Sequence, residues 1–344
     1  MACFIIAEAG VNHNGSQDMA LQLVEAAVSA GADAVKFQTF KAERLARPGT
    51  AKAAYQRAHT GAGDQFSMLR QLELPEPTYV ALQRRCGELG IEFMSTPFDR
   101  QSAEFLVGLG MRRIKIPSGE LTNLPFLKFL AGMGLPLILS TGMGSLEEVR
   151  EAVETIQQVR EQRGLTGPLA ESLTLLHCTS NYPAALEDVN LRAMQTLHSE
   201  FGLPVGYSDH TDGTLIAVAA VAMGAVVLEK HFTLDRKLPG PDHQASLEPG
   251  QLSDMVTKVR ALERGLGDGE KSPRPSEIPI RDLVRRSVTL KRALRANERI
   301  SIDDLELLRP GNGIPPKDIE QLVGKCARSD LPAGTMLRWT DIVT

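Results

Sequence analysis

Two apolar runs, LPVGYSDH and AVVLEKHFT, each end in a histidine, and one helix's worth of sequence lies between them. Side chains alternate faces along an extended chain, so Ser208 shares a face with His210, and Glu229 with His231. If the runs are neighbouring parallel strands, the imidazoles converge beside a carboxylate, a donor set suited to a divalent cation. The loop that follows, LPGPDH, brings Asp242 and His243. A cation held there polarises a carbonyl or activates a water. The plainer alternative is two histidines satisfied by unrelated hydrogen bonds.

Elements that could position such a pair recur along the chain. Short β-branched or apolar runs at 4–7, 34–39, 91–95, 113–116, 136–140, 173–178, 204–207 and 226–230 read as strands. Helical periods lie between them, clearest at 17–30, 146–163, 213–223 and 251–264. Eight strands, each followed by a helix, make an α/β chain of the (β/α)₈ TIM-barrel type. An open doubly wound sheet is the alternative, but no GxGxxG follows the first run and no GxxxxGK[ST] occurs. The connection over 41–75 is far longer than an ordinary βα loop and reads as a lid. The Gly-, Pro- and Ser-rich stretch 269–282 reads as a linker. It divides a barrel over 1–268 from a turn-rich, β-rich module over 283–344.

In a barrel of this kind chemistry sits at the carboxyl ends of the strands. Those ends are polar throughout: Glu8 on the first, Lys36 and Gln38 on the second, Ser95 and Thr96 on the third, and Lys115, Ser118 and Glu120 on or after the fourth. Ser140 and Thr141 follow on the fifth, Ser180, Asn181 and Tyr182 on the sixth, Ser208, Asp209 and His210 on the seventh, and Lys230 and His231 on the eighth. Two lysines ringed by hydroxyls form a cradle for phosphate and carboxylate. Glu8 and Glu120 in the same mouth would act as a general base or hold sugar hydroxyls, unless they are only ion-pair partners of Lys36 and Lys115. The residues describe a site for a small anion plus a carbonyl compound.

Composition narrows the partners. The 344 residues carry a net charge of -4, with 42% hydrophobic and 23% charged residues. No basic surface for nucleic acid is implied. The opening MACFIIAEAG lacks a basic leader and Glu8 interrupts it, so a cytoplasmic protein with no membrane partner is expected. Cys3, Cys86, Cys178 and Cys326 lack CxxC spacing and read as reduced thiols.

The blocks IAEAGVNHNGS, AVKFQTF, STPFD, KIPSGE, LSTGM, HCTSNYPA, VGYSDHT, LEKHFTLD and GPDHQASLEP, with RRS and LRPGNG in the tail, resemble the sialic acid synthases over nearly the whole chain. The tail resembles that family's antifreeze-like (SAF, β-clip) domain. The resemblance implies condensation of phosphoenolpyruvate with an N-acetylated amino sugar aldehyde of the N-acetylmannosamine type. The product is a nine-carbon 2-keto acid such as N-acetylneuraminate, and phosphate is released. An N,N'-diacetyllegionaminate synthase acting on a 2,4-diacetamido-6-deoxy sugar is the alternative within the family.

By the same resemblance, His210 and His231 hold manganese or magnesium, and Lys36, Thr96, Lys115, Ser118, Ser140 and Ser208 bind phosphoenolpyruvate. Glu8 handles protons, and Gln38, Glu120, Tyr182 and Asp242 contact the sugar or the metal's surroundings. Arg309 of the RPGNG motif reaches over from the partner in a domain-swapped homodimer. In one departure, the family's phosphate-binding asparagine stands two residues before Tyr-Pro, where this chain has Ser180, with Asn181 beside it. Either can take the role. GPDHQAS is nearer the N-acetylneuraminic and legionaminic type than the pseudaminic. Two competing readings stay open, a pyruvate-using metal aldolase and a non-catalytic glycan- or ice-binding protein.

Overall fold

The computed structural model describes residues 2–343, which fall into two compact units that divide between Gly267 and Asp268. The first is built on eight parallel strands: β1 (Phe4–Gly10), β2 (Ala34–Thr39), β3 (Glu92–Pro97), β4 (Ile114–Ile116), β5 (Leu137–Ser140), β6 (Leu173–Cys178), β7 (Val205–Asp209) and β8 (Val227–His231). The order is β3-β2-β1-β8-β7-β6-β5-β4, with β1 hydrogen-bonded to both β2 and β8 and with β3 lying against β4. A sheet whose first strand pairs with its last has curled into the (β/α)₈ barrel.

Helices α1 (Gln17–Ser29), α2 (Ala42–Leu45), α3 (Ala54–Thr60), α4 (Gln65–Gln71), α5 (Glu76–Leu89), α6 (Arg100–Gly108), α7 (Leu124–Ala131), α8 (Leu146–Gln162), α9 (Ala193–Phe201), α10 (Leu215–Ala222) and α11 (Pro249–Leu266) complete this unit. Local rules set their bounds. Ser145 caps α8 and Glu148 reaches back to the Ser145 N–H, while Val149, Ala152, Val153 and Ile156 form its buried stripe. The connection 41–75 is not irregular: α2, α3 and α4 lie within it, and Met68 and Leu72 pack on Val11 and Phe40. Asp64 starts α4 by accepting from the Ser67 N–H at 2.9 Å.

Strand parity sorts the core into two sets. Outward residues such as Ile5, Ala7, Val35, Phe37, Ile114, Leu139, Leu175, Tyr207 and Leu228 pack under the helices. Inward residues Ile6, Ala34, Met94, Ile138, Leu176 and Val227 fill the barrel floor. Gly206 belongs to that layer because a Cβ there would come within 3.0 Å of Val227 and Leu176.

The second unit has its own core, including Val288, Leu290, Ile300, Leu305, Leu322, Leu337 and Ile342. Its regular pieces are α12 (Ile278–Val284) and two antiparallel pairs, β9 (Ser287–Leu290) with β10 (Leu305–Leu308) and β11 (Cys326–Ala327) with β12 (Ile342–Val343). The expected linker 269–282 therefore runs into a helix, whose N–H groups find carbonyls such as that of Arg281, which accepts from Arg285 at 3.1 Å. No helix among the described residues is long and apolar enough to cross a membrane.

Candidate active site

Two residues up each strand from the apolar floor, the inward positions turn polar: Ile6 gives way to Glu8, Ala34 to Lys36, Met94 to Thr96, Ile138 to Ser140, Leu176 to Cys178, Gly206 to Ser208 and Val227 to Glu229. β4 adds Lys115. One further step along the same faces brings Gln38, His210 and His231. A cavity of about 480 Å³ opens above this layer, lined by all of these residues together with Ser118, Ser180, Tyr182 and Asp242. Tyr55, Gln56, Met68 and Leu69 close another side, so the 41–75 insertion forms part of the wall.

At the bottom of the cavity two carboxylates and two ammoniums interlock. Lys36 Nζ lies 2.6 Å from Glu8 Oε2 and 3.5 Å from Glu229 Oε2, and Lys115 Nζ is 3.4 Å from Glu229 Oε1. Lys36 also donates to Thr96 Oγ1 at 3.0 Å, and Ser208 Oγ donates to Glu229 at 2.8 Å. Burial pushes the Glu8 carboxyl up to about 7, against the pull of Lys36. Burial acts on Glu229 too, but Lys115 and Lys36 together with the Ser208 hydroxyl outweigh it and hold that carboxyl below its ordinary range. The two acids are thereby split into a proton carrier and a permanent anion. Burial depresses Lys115; in Lys36 it is outweighed by Glu229 and Glu8, which raise it.

The histidines stand together at the other end. Their ring centroids are 5.6 Å apart, and burial pushes both below the usual imidazole value, His231 further because His210 is beside it. Both are neutral near pH 7. His210 Nδ1 donates to the Thr179 carbonyl at 2.7 Å, which leaves the Nε2 lone pair to accept from the Tyr182 hydroxyl at 3.1 Å. His231 Nδ1 is buried without a partner. Two neutral imidazoles, one with its tautomer set by a carbonyl, fit a divalent cation. Among the described residues no third His, Cys, Asp or Glu joins them, so the remaining positions would fall to substrate and water.

Several residues expected at the site do not line this cavity. Glu120 ends the 3₁₀ turn Ser118–Glu120; three residues per turn put it well away from the face of Ser118, and its carboxylate accepts from Asn123 at 2.6 Å. Asn181 is exposed and accepts from the Tyr182 N–H at 3.1 Å, while Ser180 on its other side lines the cavity. Lys230 turns outward to Asp209, and His243 is spent on Thr233 and Asn14. Arg309 is exposed in the second unit. Glu229, which shares a strand face with His231, is central, and it meets Lys36 and Lys115 at the floor of the cavity. Tyr55, whose ring sits 5.2 Å from that of Tyr182, carries no signal in its surrounding residues.

Residues 23–271 match the NeuB family and residues 285–343 the SAF domain. The N,N'-diacetyllegionaminic acid synthase of Legionella pneumophila is 54% identical across 99% of this chain and 95% of its own length. Its Campylobacter jejuni namesake is 44% identical across 97% and 98%. The crystal structure of an N-acetylneuraminic acid (sialic acid) synthetase from Leptospira borgpetersenii superposes with a TM-score of 0.70 at 34% identity, covering 81% of this chain and 90% of that one.

Proposed function

The chain belongs to the NeuB family, and from that premise we propose that it is a phosphoenolpyruvate-dependent condensing enzyme whose acceptor is a 2,4-diacetamido-6-deoxy sugar aldehyde and whose product is N,N'-diacetyllegionaminate. The observation that carries the acceptor is the pair of full-length relatives bearing that synthase name. The cavity supports it, because Leu45, Met68, Leu69 and Leu72 offer apolar surface to a deoxy methyl and two acetyl methyls.

Lys36 and Lys115, with Thr96, Ser118, Ser140 and Ser208, receive the phosphate and carboxylate of phosphoenolpyruvate. Their ammoniums are already matched by Glu8 and Glu229, so an added anion needs further positive charge. His210 and His231 would hold a divalent cation, manganese in preference to magnesium because imidazole is the softer donor, and a cation held there would polarise the aldehyde carbonyl. Arg309 from the C-terminal unit of a second copy in a homodimer adds the rest. Tyr182, Asp242 and Gln38 orient the sugar.

In the reaction C3 of phosphoenolpyruvate forms the new bond to the aldehyde carbon, whose oxygen takes up a proton. Water then adds at C2 and phosphate departs with C–O cleavage, leaving the 2-keto group. Ionised Glu8 accepts the proton that the water loses and passes it to the former aldehyde oxygen, while the proton left on the C2 oxygen goes to the departing phosphate as the keto group forms, so no net proton is consumed at the residue. Phosphate release with manganese, phosphoenolpyruvate and either the diacetamido sugar or N-acetylmannosamine tests the proposal. A higher kcat/KM for the diacetamido sugar is expected. The reverse order would favour N-acetylneuraminate formation, and turnover of pyruvate alone would replace the reaction class.

A further inference from the structure

Behind the two histidines lies an ion pair with no access to solvent. Asp209 and Lys230 are paired in register on β7 and β8, each one residue before a histidine, and each side chain is 0% exposed. By strand alternation they point away from the cavity that His210 and His231 face. Lys230 Nζ donates to Asp209 Oδ2 at 2.8 Å and to the Thr211 carbonyl at 2.5 Å. The other Asp209 oxygen accepts from the Thr211 N–H at 2.9 Å and its hydroxyl at 2.8 Å. His210 is therefore clamped between two residues that are both tied to the strand carrying His231.

An apolar pair of similar volume would hold two strands together as well or better, because burying opposite charges is costly. What the charges add is direction. Two bonds from Lys230 cross from β8 to the end of β7 and the turn after it, and two more tie Thr211 back to Asp209, so that together they set where that turn leaves the sheet. We propose that Lys230 and Asp209 are positioning residues, whose buried ion pair sets the separation and tilt at which His210 and His231 meet a divalent cation. The inference rests on the metal reading of the histidine pair. It is distinct from the reacting groups, since neither residue lines the cavity.

The test is direct titration of the full-length protein with Mn²⁺, counting the free ion by electron paramagnetic resonance, for the parent, Lys230→Met and Thr211→Val. Loss of a partner behind a metal ligand weakens binding about tenfold or more, which is the expectation for Lys230→Met. Thr211→Val removes one bond to Asp209 and is expected to weaken binding about threefold. The KM for phosphoenolpyruvate at saturating Mn²⁺ stays at the parent value, because Lys36 and Lys115 are untouched. If Lys230→Met does not fold, Thr211→Val decides on the same measurement. A parent that binds Mn²⁺ and variants that bind it equally well overturn the positioning role alone. A parent that binds no Mn²⁺ overturns the metal reading and the inference with it.

Discussion

The Glu8 carboxylate meets the Lys36 ammonium at 2.6 Å with both side chains buried, and Glu8 still titrates at about 7. A carboxyl so placed changes charge within the working range, and the ionised form is the base. The kcat/KM of the parent therefore rises as pH increases through about 7. Glu8→Gln lowers it by about 10²–10⁴-fold and flattens that limb. A limb that persists unchanged in Glu8→Gln assigns the titration to another group.

Glu229 neutralises two lysines at once. Glu229→Gln leaves Lys115 without its carboxylate, and the barrel should lose about 3–5 kcal/mol in urea unfolding of the metal-free protein. An unchanged midpoint would show that the lysines find other counter-charges.

His231→Ala removes half of the imidazole pair and should abolish metal-dependent turnover. The variant with Mn²⁺ is expected to match the parent after chelation. Full activity of His231→Ala in chelator-treated buffer contradicts the metal assignment.

Tyr55 reaches Tyr182 from α3 and lines the cavity. Losing an aromatic contact of this kind is worth about 0.5–1.5 kcal/mol beyond area, so Tyr55→Ala should raise the sugar KM several-fold while that for phosphoenolpyruvate holds. A parallel rise in both would mean that the insertion has lost its fold.

Arg309→Ala in the full chain should be nearly inactive. Mixing it with His231→Ala should restore part of the activity, since a heterodimer contains one site with both residues intact. No recovery on mixing would place Arg309 in its own chain's site or outside catalysis.

Much of this site was legible because strand alternation is a local rule. Ser208 with His210 and Glu229 with His231 could be paired by counting, and the polar strand ends marked the mouth of the barrel. The same counting fails where the chain leaves a strand. Glu120 turns away within a 3₁₀ turn, and Asn181 faces solvent between two residues that line the cavity. Turn geometry, not spacing, set those directions.

By itself the sequence determined the alternation of strands and helices, the polar layer above an apolar floor, and the two histidines, since each depends on residue order alone. The tertiary structure alone decided that Lys36 is shared between Glu8 and Glu229, that Lys230 serves Asp209 behind the sheet, and that α3 carries Tyr55 to Tyr182. Those partners come from different strands and from the inserted helices, and their meeting depends on how the barrel closes. Closure also takes both carboxylates out of water, and what separates Glu8 from Glu229 is that Lys115, Lys36 and the Ser208 hydroxyl converge on Glu229.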